Sequence, residues 1–226
     1  MVRILAVADE VAYNLTPARI QSYRPDLVVG CGDLPWSYLE LIANSVDCPM
    51  VFVPGNHDPS ISPGRQSRSG AWFHAGVLVD SPRPHGATNL DVDVTDVAGL
   101  RVAGLGGCVR YRSGPHQYTQ REYHRRAAKL MRKVRRLDRK TPAPVDLLLT
   151  HAPPRGVGDD DDRPHVGIDA LHTVLDAVQP TLHLHGHIHP HGRSMPDRQV
   201  GTTTIRNIIP FRIIEFDRAT ELSSAS

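Results

Sequence analysis

Aromatic side chains make up only 5% of this sequence, and cysteine occurs three times in 226 residues. So few rings argue against a stacking surface for single-stranded nucleic acid, which needs exposed aromatics in series. Cys31, Cys48 and Cys108 are spaced neither as a disulfide framework nor as a Cys-x-x-Cys metal site. Each lies in an apolar or glycine-rich stretch and reads as a small buried hydrophobe, so a reducing cytoplasm is the expected setting. No apolar run approaches the ~18 residues of a membrane-spanning helix. The opening MVRILAVADE has one basic residue and an acidic pair where a signal peptide would need its cleavage site, and it reads as a first strand. Net charge is only +2, which gives no global signal for a polyanionic partner.

What remains is an ordinary globular composition, 40% hydrophobic and 22% charged, with room for a sizeable core. Five short apolar runs stand out: residues 2–8, 26–31, 49–54, 145–150 and 181–186. Runs of this length bounded by turn residues fit strands covered on both faces. Thr16 followed by Pro17 predicts a helix start between the first two, and a second helix is expected after Pro35 with Tyr38, Leu41 and Ile42 on one face. A β-α-β-α-β opening implies parallel pairing. Residues 76–110 alternate and are broken by Gly and Pro, which suggests further strands in a second sheet or sheet edge. Thr119 to Glu122 form a capping-box pattern opening a helix to about Lys140, another helix is expected near 168–178, and two closing strands flank Pro210. No repeat or low-complexity linker divides the chain, so residues 1–226 are read as one domain.

The polar residues that end these runs carry the chemistry. The first ends in Asp9, the second in Asp33, the third in Asn56, His57 and Asp58, the fourth in His151, and the fifth in His187 and His189. Open α/β sheets bind ligands outside the carboxyl ends of their strands, so the five runs would deliver these donors to one rim. Carboxylate, amide and imidazole without thiolate suit Mn²⁺, Fe or Zn²⁺ rather than Ca²⁺ or a cysteine zinc site. The donors suffice for two divalent ions, with a carboxylate such as Asp33 able to bridge, an arrangement suited to displacement at phosphorus. His57, beside Asn56, is free to act as a general acid, and Asp58 could orient its ring.

Asp9, the Gly-Asp at 32–33, Gly-Asn-His-Asp at 55–58, His151 and Gly-His-Ile-His at 186–189 resemble the motifs of the calcineurin-like metallophosphoesterase superfamily. The resemblance spans nearly the whole chain. It implies an α/β fold, an αββα sandwich of two mixed sheets flanked by helices, and a dinuclear site that hydrolyses phosphomonoesters or phosphodiesters. Carried over, Asp33 bridges the metals, Asp9 and His189 hold one ion, and Asn56, His151 and His187 hold the other. Mn²⁺ is expected ahead of Fe or Zn²⁺, with His57 next to the scissile group. Within the histidine-rich stretch 183–191 only His187 and His189 match, which leaves His185 as an outer partner or packing residue and His183 and His191 as ordinary polar residues. The family usually begins Asp-x-His, and here Val11 stands in the histidine position. Valine cannot coordinate, so the ion of Asp9 and His189 should be held more weakly. Glu10 is not expected to replace the imidazole, because neighbouring residues of a strand point to opposite faces.

Arg110 and Tyr111 lie with Arg112 and His116 in a loop leaving a strand, and are the candidate substrate contacts. The helix from Arg121 to Lys140 carries ten basic residues and two acids; a nucleic-acid partner is conceivable, but a solvated face is the preferred reading. The acidic run 159–162 reads as a solvated loop. The expected function is a cytoplasmic metal-dependent phosphoesterase with a phosphoester substrate and no membrane contact. The competing readings are a non-catalytic scaffold with a degenerate metal site, and a nuclease.

Overall fold

The computed structural model describes residues 1–60 and 84–217, together with the strand backbone at 65–66, 72–74 and 77–79. The chain opens with β1 (Val2–Val7), α1 (Pro17–Tyr23), β2 (Leu27–Gly30), α2 (Trp36–Ala43) and β3 (Met50–Phe52). Three short strands follow, β4 (Arg65–Gln66), β5 (Trp72–His74) and β6 (Val77–Val79), which pair with one another. Next come β7 (Ala87–Asn89), β8 (Asp93–Val97), β9 (Leu100–Leu105), β10 (Cys108–Val109) and β11 (Gln117–Tyr118). The last part holds α3 (Gln120–Asp138), β12 (Leu147–Thr150), α4 (Ala170–Val178), β13 (Leu182–His185), β14 (Arg198–Val200), β15 (Thr203–Asn207) and β16 (Phe211–Phe216). No described helix is long and apolar enough to cross a membrane.

Local chemistry accounts for the helix starts. The Thr16 hydroxyl accepts the Arg19 N–H ahead of Pro17, and Thr119 with Glu122 forms the reciprocal capping box at α3. On α2 the packed stripe is Tyr38, Leu39 and Ile42, whereas Leu41 is 41% exposed, so the expected face is corrected by one residue. Leu39 and Ile42 meet Met50 and Phe52 of the sheet below, which turns Leu41 outward.

Two mixed sheets form the centre. One has the order β16-β1-β2-β3-β7, parallel except where β16 runs against β1. The other has the order β14-β15-β13-β12-β9-β8, parallel in the middle and antiparallel at both edges. The two closing strands part company around Pro210: β15 joins the second sheet and β16 the first.

Strand alternation builds four layers from this pair. Ile4, Ala6 and Ala8 share one buried cluster with Val29 and Val51 and, from the opposite sheet, Val102, Leu147, Leu149, Leu182 and Leu184. The alternate residues Leu5, Val7, Val28 and Phe52 face α1 and α2 through Ile20, Leu39 and Ile42. On the far side Ala103, Leu105 and Leu148 pack against Tyr123, Ala127 and Leu130 of α3 and Leu171, Val174 and Leu175 of α4. The continuous apolar runs of the sequence are thus strands covered on both faces.

Candidate metal centre

Loops leaving β1, β2 and β3 of one sheet meet loops leaving β12 and β13 of the other. Backbone bonds fix their approach: the Asp9 N–H donates to Gly32 O at 3.0 Å and the Gly186 N–H to His151 O at 3.0 Å. His151 Nε2 then lies 3.0 Å from Asn56 Oδ1, 3.2 Å from Asp33 Oδ2 and 3.1 Å from His187 Nδ1. The Asp9 carboxylate receives the His187 N–H at 2.9 Å, and His189 Nε2 lies 3.8 Å from Asp9 Oδ1. All six expected metal residues are therefore brought to one place. Asp33, His151 and His187 each offer a ligand atom within 4.8 Å of the others.

The far sides of the rings show what this centre is suited to hold. His151 Nδ1 lies 2.8 Å from Cys31 O and His187 Nε2 lies 3.0 Å from Pro164 O. A carbonyl only accepts, so each of those nitrogens carries the hydrogen, and in the neutral rings His151 Nε2 and His187 Nδ1 present lone pairs. Asn56 Oδ1 and Asp33 Oδ2 present lone pairs to the same point. With both rings neutral, four acceptors would converge with no hydrogen between them, a set that calls for a positive charge at its centre, either a proton on His151 or a metal ion. A divalent cation fits that requirement, and the carbonyls opposite the rings are the outer partners that fix metal-binding tautomers.

The electrostatics repeat this demand. Burial raises the Asp9 carboxyl to about 7, with Asp33 nearby adding to the shift. Burial disfavours a charge on His151, yet the Asp33 and Asp9 carboxylates push it up to about 10, so a proton on this ring fills the place a cation would take. For His187 burial and the neighbouring His151 act together and lower it to about 3. Asp9, Asp33 and His187 also share an unusual backbone, with φ of 60°, 57° and 67°. Non-glycine residues in this left-handed region carry strain that surrounding structure must hold, and such residues gather at functional sites. Two glycines permit the crowding for a second reason: a methyl at Gly55 would strike the Asp33 carboxylate, and one at Gly186 the Asp9 carboxylate. Gly186 thus serves close approach.

The remaining expected residues divide. His57 is exposed; its N–H donates to Asp33 Oδ1 at 2.7 Å, and it lines a cavity of about 410 Å³ with Asp33, Trp36 and Asp58. Asp58 departs from its expected place beside the His57 ring. It is buried, and its Oδ2 accepts the Gly55 N–H at 2.8 Å and the Asp33 N–H at 3.1 Å, which clamps the second and third loops together. Tyr111 reaches the centre, its hydroxyl accepting from Asn56 Nδ2 at 3.4 Å. Arg110 does not: its guanidinium is bound to Gln117 O and to Glu122 Oε2 at 3.0 Å, because the acid that caps α3 competes for it.

Two placements differ from the sequence reading, and that of Val11 was left open by it. Glu10 comes to the centre after all, with Oε1 2.8 Å from His189 Nδ1. β1 ends at Val7, so residues 9 and 10 lie in a bend where strand alternation does not apply. Val11 is half-buried against the cluster of α1 and α2. The acidic run borders the centre through its end, where His165 stands 5.3 Å from His187, ring to ring, and pairs with Asp162. An Asp-rich run after a candidate ligand was the only sequence signal for that neighbour. His185 and His183 are buried in β13, with His183 Nε2 2.7 Å from Thr150 Oγ1. The cysteines are free, Cys31 and Cys108 buried and Cys48 half-buried, and burial pushes all three thiols up.

The family profile described as calcineurin-like phosphoesterase matches residues 3–191. Metallophosphoesterase domain-containing protein 1 of Homo sapiens is 45% identical over 69 residues, 29% of this chain and 20% of that protein, and its Mus musculus counterpart matches equally. The match therefore spans about a fifth of the length of these curated relatives. One crystal structure superposes with a TM-score of 0.62 at 13% identity, covering 95% of this chain and 99% of the other. That of TT1561 of Thermus thermophilus gives 0.53 at 17%, covering 90% and 87%. At these identities the two structures speak for the fold alone.

Proposed function

Because this chain belongs to the calcineurin-like phosphoesterase family, we propose that it hydrolyses phosphomonoesters or phosphodiesters at this centre, within one catalytic domain. The observation that carries the reading is the convergence of Asp33, Asn56, His151 and His187 around one point, where the neutral rings would aim four lone pairs that a cation could accept. In this reading Asn56, His151 and His187 hold one ion, Asp9 and His189 a second, and Asp33 lies between them. Divalent ions, Mn²⁺ ahead of Fe or Zn²⁺, would polarise the phosphoryl group and make water a stronger nucleophile.

The chain's own residues do the rest. His57 is tethered to Asp33 by its backbone while its side chain stays open to the cavity, so it can meet a bound ester and protonate the leaving oxygen. Asp58 holds the backbone of Gly55 and Asp33, and so sets the height of that imidazole above the centre. Tyr111, bonded to the Asn56 amide, helps fix which way its oxygen faces.

Metal analysis joined to hydrolysis of nitrophenyl phosphate and bis(nitrophenyl) phosphate tests the reading. Asp33→Asn should lose both tight metal uptake and turnover. A folded variant that binds and hydrolyses as before removes the site assignment. The scaffold reading draws on one observation, the half-buried packing of Val11 against the cluster of α1 and α2 at the position where the family resemblance would place a histidine. It would be supported by metal uptake without hydrolysis of either ester.

A further inference from the structure

The loss of the first-motif histidine leaves the ion of Asp9 and His189 with fewer protein donors, and the structure holds an unassigned carboxylate at that place. Glu10 Oε1 sits 2.8 Å from His189 Nδ1, while the other ring nitrogen, Nε2, faces Asp9 Oδ1 at 3.8 Å. A carboxylate at this distance accepts the Nδ1 hydrogen. In the neutral ring that choice leaves Nε2 bare on the side of Asp9, which is the tautomer a ligand needs. Without Glu10 the ring would be held chiefly by its stacking on His191, 5.8 Å away with planes at 30°, which orients the plane but selects no tautomer. The His189 side chain is 35% exposed, so little else restrains it.

We propose that Glu10 is a positioning residue for this half of the centre: it fixes the orientation and tautomer of His189 and so offsets the donor missing at Val11. His151 and His187 have their outer nitrogens held by backbone carbonyls, Cys31 O and Pro164 O. His189 is held by a side chain instead, one that a mutation can remove without touching the backbone. The inference rests on the two-ion reading of the site.

Calorimetric titration of Mn²⁺ into the metal-stripped protein, Glu10→Ala and Glu10→Gln gives the test, with metal content counted in parallel. The unmodified protein should show a tighter and a weaker event. Glu10→Ala should weaken the weaker event by about 10- to 100-fold, the usual cost of removing an outer partner, and leave the tighter one in place. Glu10→Gln should lie near the unmodified protein, because its amide oxygen still accepts the Nδ1 hydrogen. Equal losses in Glu10→Ala and Glu10→Gln would mean that the charge itself is used, as by a direct ligand, and would overturn positioning. Unchanged binding in Glu10→Ala would also overturn it. An unmodified protein that takes up no Mn²⁺ would instead remove the two-ion reading. Nitrogen-15 spectra of the metal-free protein provide a second check, since His189 should carry its hydrogen on Nδ1 in the unmodified chain. Hydrogen on Nε2 sinks the proposal even if the alanine variant misfolds.

Discussion

His57 stands at the edge of the cavity with its backbone tied to Asp33 and its ring in solvent, which separates it from the buried donor residues around it. Its loss should therefore touch rate and leave metal content nearly unchanged. His57→Ala should lower turnover by about 10²–10⁴, the range for a proton donor to a poor leaving group. The deficit should shrink for nitrophenyl esters, whose leaving oxygen needs little protonation. Equal deficits for alkyl and nitrophenyl esters would take the acid role away from this residue. At this scale the sequence was legible where a polar donor ended an apolar run: Asp9, Asp33, Asn56, His151, His187 and His189 all meet. It misled where the outcome depended on bends and competitors. Glu10 reaches His189 because β1 stops at Val7, Arg110 is drawn off by the Glu122 cap, and Asp58 serves two backbone N–H groups rather than a ring. The left-handed backbone at Asp9, Asp33 and His187 is a product of the crowding and has no signature beyond the tolerance of Asp and His for that region.

At the scale of elements, periodicity placed the strands and helices well, because length and apolar content distinguish a strand covered on both faces from a longer amphipathic helix. Side-chain crossings between elements were not legible in the same way. Arg101 lies in β9 with its side chain 1% exposed, an unusual place for a guanidinium. It binds both Asp96 oxygens at 2.8 and 3.0 Å and the carbonyls of Thr141 and Ala143 at 2.7 and 2.9 Å, which ties β8 and β9 to the segment between α3 and β12. The bonds from Arg101 hold the Asp96 carboxyl below its usual range. A depressed carboxyl stabilises the fold above its unfolded pKa of about 3.9, and that contribution fades as pH falls through the lower folded value. Asp96→Asn should cost about 1–2 kcal/mol at neutral pH, a modest figure because Asp96 is partly exposed and the two carbonyls stay in place. Urea melts of both proteins should converge as pH drops below the ordinary carboxyl range. A gap that stays constant across that range would show that the pair's charge contributes nothing.

For the whole molecule, the centre lies where the two sheets meet. Asp9, Asp33 and Asn56 follow strands of one sheet, while His151, His187 and His189 follow strands of the other. The apolar cluster between the sheets joins them along most of their length, but at this rim the facing groups are polar, and with His151 neutral they would be acceptors that repel one another. A cation there would replace repulsion with coordination and bind the folded state alone, since unfolding separates residues 9 and 189 along the chain. Mass action then raises stability by about 2.7 kcal/mol when free metal is a hundred times its dissociation constant. For a chain of this length that corresponds to a rise in Tm of about 5–10 °C. Chelation should reverse the rise, and Asp33→Asn should melt at one temperature with or without Mn²⁺. A melt of the unmodified protein that ignores both Mn²⁺ and chelator would mean that no ion links the sheets here. Protonated His151 would then be left as the charge that balances Asp9 and Asp33.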